Sequence, residues 1–300
     1  MDAGFPALRG VGTLNWKSES RGRRAAQVAL LSVSLSALLA GSPALAAPVN
    51  NWTGFYAGLY AGGVFGRGKS STNSDCTTPG THNGVFCQTT DPDPSANVGA
   101  VNATGSNSVS STKFTGGAQA GYNWQTGNIV YGVEADFGAF QIKGSRTSTG
   151  VFPVGSFGVG GGDHFVVANS FSTDWLLTTR GRIGWSAQNW LIYATAGLAL
   201  TQVKLTNSYS DDGGNSGGNG PNFGSGSRSV TKGGWTIGTG MEVAVTKNWS
   251  IKGEYLYVDL GSVNVAASIG NPNAVGYAQG IGVSTSLTAH LARLGANFRF

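Results

Sequence analysis

The sequence predicts an all-β protein whose mature part is an eight-stranded antiparallel up-and-down transmembrane β-barrel, and three observations carry that prediction. Apolar and polar residues alternate with period 2 after residue 50, while helical periodicity is absent. Long and short connections follow one another in strict turn. In five segments the charges assigned to a face all fall on the same one. Composition agrees: 11% of the 300 residues are Asp, Glu, Lys or Arg and 49 are Gly, against roughly 25% charge and about 7% glycine in an ordinary soluble domain. No run of 18 apolar residues occurs, which excludes helical spans.

The chain divides into residues 1–46, an extension ending in a cleaved signal peptide, and 47–300, the barrel. Arg21-Gly22-Arg23-Arg24 precedes an apolar stretch, Ala25 to Leu39, and then Gly41-Ser42-Pro43-Ala44-Leu45-Ala46. A basic start, an apolar core and a small-x-small end are the three parts of an export signal. Cleavage after Ala46 fits better than cleavage after Ala47, which would place Leu45 third from the cut and Pro48 just past it. The formal charge of +5 does not point to nucleic acid, because the segment lost on export carries five of the bases and two of the acids, leaving 14 bases and 12 acids.

Eight strand-like segments follow: 52–66, 113–124, 129–142, 173–186, 190–205, 230–245, 249–263 and 286–300. Each is long enough for a tilted strand, which crosses hydrocarbon in about 9 to 11 residues. The connections run 46, 4, 30, 3, 24, 3 and 22 residues, the pattern of long external loops on one rim and tight periplasmic turns on the other. In the second segment Phe114, Ala118, Ala120, Tyr122 and Trp124 face away from Gln119, Gly121 and Asn123. In the third, Tyr131, Val133, Ala135 and Phe137 oppose Glu134 and Asp136; in the fourth, Trp175, Leu177, Ile183 and Trp185 oppose Arg180 and Arg182. The sixth sets Trp235, Ile237, Met241 and Val243 against Lys232 and Glu242, and the seventh Ile251, Tyr255 and Tyr257 against Lys252 and Glu254. The eighth sets Leu294, Ala296, Phe298 and Phe300 against Arg293, Asn297 and Arg299. One face meets lipid and the other the lumen. Inward Gly58, Gly62, Gly121, Gly238, Gly240 and Gly295 leave room for the long charged side chains. The fifth segment is apolar on both faces at its start, so its faces stay unassigned. Trp52, Trp124, Trp185, Trp190, Trp249, Phe298 and Phe300 collect at the short-turn rim as half of an aromatic girdle. Cys76 and Cys87, in a polar stretch of an exported chain, read as a disulfide closing part of the first long loop.

These residues resemble the small eight-stranded outer-membrane proteins of alphaproteobacteria, the porin-like surface antigens with a barrel of the outer-membrane protein A type. The likeness rests on Asn51-Trp52-Thr53-Gly54-Phe55-Tyr56-Ala57-Gly58, Glu134-Ala135-Asp136, Arg180-Gly181-Arg182-Ile183-Gly184, the run Glu254 to Gly261 and the terminal run Arg293 to Phe300. It implies residence in the cell outer membrane of a Gram-negative host, with outer-membrane lipid and lipopolysaccharide as surroundings. The end at Phe298 and Phe300 resembles the signal read by the barrel-assembly machinery.

No catalytic constellation, cofactor site or metal site is expected, and no nucleic-acid partner. His82 and His164 fall in loops, and His290 faces lipid while Glu254 faces the lumen, which disfavours a lipid-modifying enzyme. The candidate site is the set of luminal charges Glu134, Asp136, Arg180, Arg182, Lys232, Glu242, Lys252, Glu254, Arg293 and Arg299. Eight strands enclose a space just wide enough for side chains, and buried charges demand partners. The favoured reading is a salt-bridged plug in a non-enzymatic barrel that serves envelope structure and surface display. The alternative is a narrow porin for ions or small solutes, mildly anion-favouring because six bases face four acids.

Overall fold

A computed structural model describes residues 51–74, 85–86, 93–156, 159–213, 220–271 and 274–300. In chain order these hold β1 (Gly54–Ser74), α1 (Pro94–Gly105), β2 (Asn107–Thr126), β3 (Ile129–Ala139), β4 (Lys143–Val151), β5 (His164–Thr173), β6 (Trp175–Ala187), β7 (Trp190–Asp211), β8 (Phe223–Ala244), β9 (Trp249–Asn271) and β10 (Ala274–Arg299). The sites expected for signal cleavage, Ala46 and Ala47, and for the disulfide, Cys76 and Cys87, lie outside the described residues.

Antiparallel ladders join β1 to β2, β2 to β3, β3 to β6, β6 to β7, β7 to β8, β8 to β9, β9 to β10 and β10 back to β1. Eight strands thus close a ring, and the barrel expected from the alternation is present. β4 and β5 prolong β3 and β6 beyond a break. There Phe140 N donates to Asp174 O at 3.0 Å, Thr173 N donates to Ile142 O at 2.9 Å, and the Thr173 hydroxyl bonds Phe140 O at 2.5 Å. Above that break β5 pairs with the outer half of β7, from Thr173↔Val203 to Phe165↔Asp211.

The structure corrects two expectations about the connections. Residues 143–172 and 264–285, read as long loops, are mostly strand, and β1, β7, β8, β9 and β10 reach 21, 22, 22, 23 and 26 residues. Outside the bilayer neither face of a strand must be apolar, so Ser-, Thr- and Gly-rich strands such as β4 lose the alternation that reveals a strand in sequence. Nor is the chain without helix. Asp93 caps α1 by accepting a hydrogen bond from Ala96 N at 3.2 Å, and Pro94 occupies its first turn. The apolar side chains of α1 are not gathered into a stripe, which is why no helical period marks it.

Inside the wall, four layers stack along the barrel. At the turn end Trp52, Val130, Leu191, Tyr193 and Ala244 pack together. Next comes the charged layer described below. Above it lies a large apolar layer that includes Val64, Phe140, Ile142, Phe171, Leu176, Leu205, Leu256, Leu260, Val283 and Leu287. A second apolar cluster closes the outer end, with Val101 of α1 against Phe86, Phe152, Phe165, Val167, Tyr209 and Ile281. Inward Leu260 and Val263 are both buried, although three positions apart they should face opposite ways. Gly261 at φ +62° supplies the extra residue of a bulge that restores the inward register. The fifth predicted segment is also resolved: Leu191 and Tyr193 are buried inside while Trp190 and Ile192 are exposed. Both faces read as apolar because the layer at the turn end is itself apolar.

Outside, Phe55, Trp124, Trp185, Trp190, Trp249 and Phe300 are exposed at the turn end, and Phe65, Phe114, Phe137 and Trp235 are exposed further along the same wall. They mark the two edges of the lipid-facing band. Trp52 departs from the expected girdle. It is 1% exposed, because residues 51–53 pass beneath the barrel mouth, where Trp52 N donates to Gln125 Oε1 at 2.7 Å and the Arg299 guanidinium lies 4.8 Å from its ring.

Candidate functional site

Strand register brings the luminal charges to one level. Glu134 stands opposite Arg180, Glu242 opposite Lys252, and Glu254 opposite Arg293. Glycines flank them: Gly121 beside Glu134, Gly132 beside Arg182, Gly240 beside Glu254, Gly62 beside Arg293 and Gly295 beside Lys252. Any side chain at Gly121 would collide with the Tyr56 hydroxyl and the Val133 carbonyl. Alternating large charged and minimal residues therefore lets eight ionised side chains share one cross-section.

Arg180 Nη2 lies 2.5 Å from Glu134 Oε1 and 2.8 Å from Asp136 Oδ2, with Nη1 3.1 Å from Glu254 Oε1. Lys252 Nζ donates to both oxygens of Glu134, at 3.0 and 2.9 Å. Arg293 donates from Nη1 to Asp136 Oδ1 at 2.9 Å and pairs with Glu254 through Nη2. Arg182 joins Glu134 at 3.5 Å to Glu242 at 3.1 Å, with its guanidinium between the rings of Tyr56 and Tyr193 at 5.0 and 4.8 Å. Every side chain in these pairs is at most 2% exposed.

Neutral donors occupy remaining carboxylate lone pairs. The Tyr56 hydroxyl donates to Glu134 at 2.7 Å, the Tyr193 hydroxyl to Glu254 at 2.9 Å, Thr178 to Asp136 at 2.5 Å and Ser250 to Glu242 at 2.5 Å. Asn297 Nδ2 donates to Glu242 at 2.9 Å, and Asn297 Oδ1 accepts from Gln119 Nε2 at 2.6 Å. Four acids, Glu134, Asp136, Glu242 and Glu254, thus meet four bases, Arg180, Arg182, Lys252 and Arg293, and the layer is formally neutral. Two of the ten expected members stand apart. Lys232 points inward but only half-buried, near Gly261 in the outer part of the barrel, and makes no ion pair among the described residues. Arg299 lies at the base, donating to the carbonyls of Asn51, Thr246 and Lys247 at 3.3, 3.3 and 2.9 Å. An alternating face reports direction but not height, so both read as members in sequence. The surplus of bases that suggested anion preference is therefore absent from the layer.

The sequence reading missed Tyr56, Tyr60 and Tyr193. The first two share the parity of inward Gly58 and Gly62, and that signal could have found them; Arg293 sits 4.3 Å above the Tyr60 ring. His290 is outward, 2.6 Å from the Tyr255 hydroxyl, on the opposite face of the wall from buried Glu254.

The family model described as outer membrane protein beta-barrel domain matches residues 33–300. The chain is 32% identical over 262 residues to the 31 kDa outer-membrane immunogenic protein of Brucella melitensis, covering 85% of this chain and 87% of that protein. It is 35% identical over 149 residues to the 22 kDa outer membrane protein of Rhizobium leguminosarum, covering 50% and 54%. Among solved structures, the outer membrane protein OprG from Pseudomonas aeruginosa aligns with a TM-score of 0.41 at 11% identity, over 84% of this chain and 99% of that one.

Proposed function

The chain belongs to the outer-membrane protein β-barrel family and resides in the cell outer membrane, and from that premise we propose that it is a non-enzymatic structural and surface-displayed barrel with a closed lumen. One observation carries this reading: the charged layer is neutral, mutually paired and stacked between apolar layers. An ion crossing it would have to break guanidinium–carboxylate contacts and then pass Val64, Phe140, Leu256 and Leu287, which offer no polar substitute for its hydration. The charges then act as a rigid cross-brace that ties β3, β6, β8, β9 and β10 through the centre of the barrel. Lipopolysaccharide surrounds the outer half, and the barrel-assembly machinery inserts the chain through its Phe298 and Phe300 end.

Planar-bilayer recording of the purified protein tests the proposal. The expected result is silence at moderate voltage. Stable single-channel steps that change in Arg182→Ala, while the variant remains folded, would replace the plug with a narrow porin.

A further inference from the structure

We propose that the outer surface of β4, β5 and β7 is a binding groove for the phosphorylated headgroup of an outer-leaflet glycolipid, held between Lys143 and Lys204. The inference rests on the outer-membrane placement above and not on whether the lumen conducts.

Register sets the residues in rows. Lys143 pairs with Ser172 and Ser172 with Lys204; one step outward, Ser145 pairs with Ser170 and Ser170 with Thr206. All of them line an open groove of about 550 Å³ on the outside of the wall. Adjacent strands lie roughly 4.8 Å apart, so the two lysine Cα atoms are about 10 Å apart, and their flexible arms can converge on one phosphate. The four hydroxyls between and above them can donate to phosphate oxygens. Lysine suits this role as a compact, strongly hydrated cation that needs no fixed approach geometry.

Height along the barrel selects a lipid over a soluble anion. Ser172 lies three residues from Trp175, roughly 10 Å along the strand. Trp175 packs on exposed Phe137 with ring centroids 5.9 Å apart, and such aromatics mark the membrane interface. A headgroup in the groove would therefore place its acyl chains against Trp175, Phe137 and exposed Leu200. Asp174 stands beside the groove, 3.5 Å from Lys204 Nζ, with both partners about half exposed. A phosphate would compete with that carboxylate for Lys204, so Asp174 sets the affinity.

The test uses the full mature protein refolded in nanodiscs, with the heat-dependent gel shift verifying that each variant is folded. Binding is measured for bisphosphorylated lipid A, the same lipid after enzymatic removal of its phosphates, and inorganic phosphate. Wild type should prefer the phosphorylated lipid. Lys143→Gln with Lys204→Gln should weaken that binding by about thirtyfold, at the usual worth of two surface cations facing anionic lipid. Asp174→Asn should strengthen it, and Lys247→Gln in the opposite rim should leave it unchanged. Equal affinity in wild type and the double variant, or equal affinity for the dephosphorylated lipid, would overturn the proposal. Inorganic phosphate bound as tightly as the lipid would reassign the groove to a soluble anion. Channel activity in the bilayer recordings would leave these outcomes untouched, so the two readings can fail separately.

Discussion

Removing Arg180 is the sharpest perturbation of the luminal layer. Its guanidinium is within 3.1 Å of three carboxylates, those of Glu134, Asp136 and Glu254, and its side chain has no solvent exposure. In Arg180→Ala four acids face three bases, and the uncompensated negative charge has no route to water between the two apolar layers. Breaking a buried pair in this way costs about 3 to 5 kcal/mol. Urea unfolding in short-chain lipid bilayers, followed by tryptophan emission and by the folded and unfolded gel bands, should show a loss of that size. Restoring neutrality by combining Arg180→Ala with Asp136→Asn should recover part of it, because the remaining carboxylates and cations again match; neighbours of this kind couple by about 0.5 to 3 kcal/mol. A cost of about 1 kcal/mol or less, typical of hydrated surface pairs, with no recovery in the double variant, would refute the reasoning and show that water fills the layer.

Deleting Phe300 should lower outer-membrane levels in cells far more than it lowers stability after refolding. In the folded barrel the residue gives only one backbone hydrogen bond to Phe55 O at 3.0 Å and an exposed ring packed on Phe55 and Phe298; parallel losses in both assays would argue against an assembly signal. Gly261→Val should cost about 1 to 2 kcal/mol in the same urea titration, since φ is +62° there, and an unchanged midpoint would show that the bulge is dispensable. Thiol titration of unfolded, unreduced protein should find no free thiol if Cys76 and Cys87 are joined; two thiols would refute the pairing. N-terminal sequencing of the protein from membranes should begin at Ala47, and a start at Met1 would contradict cleavage after Ala46.

The barrel itself was legible in the sequence because the bilayer imposes a local rule. Within the membrane band each residue faces either lipid or lumen, so Tyr131, Val133 and Ala135 alternate with Gly132, Glu134 and Asp136, and strand, face and direction can be read without knowing any neighbour. The short turns and the rim aromatics follow from the same boundary. What lies beyond the band could not be read in this way. In β4 both faces are Ser-, Thr- and Gly-rich, so strand and loop look alike, and α1 has no apolar stripe to announce it. Partnership among the luminal charges was equally hidden. Glu134 meets Lys252 118 positions away, and Asp136 meets Arg293 157 positions away, because ring closure and strand register, not spacing along the chain, set the height of each side chain. The same register moved Lys232 and Arg299 out of the layer and left it neutral. Sequence determined which way most membrane-spanning residues point, the start of β7 excepted; only the closed sheet decided which residues share a level, and electrostatic pairing among closely packed side chains depends on that level.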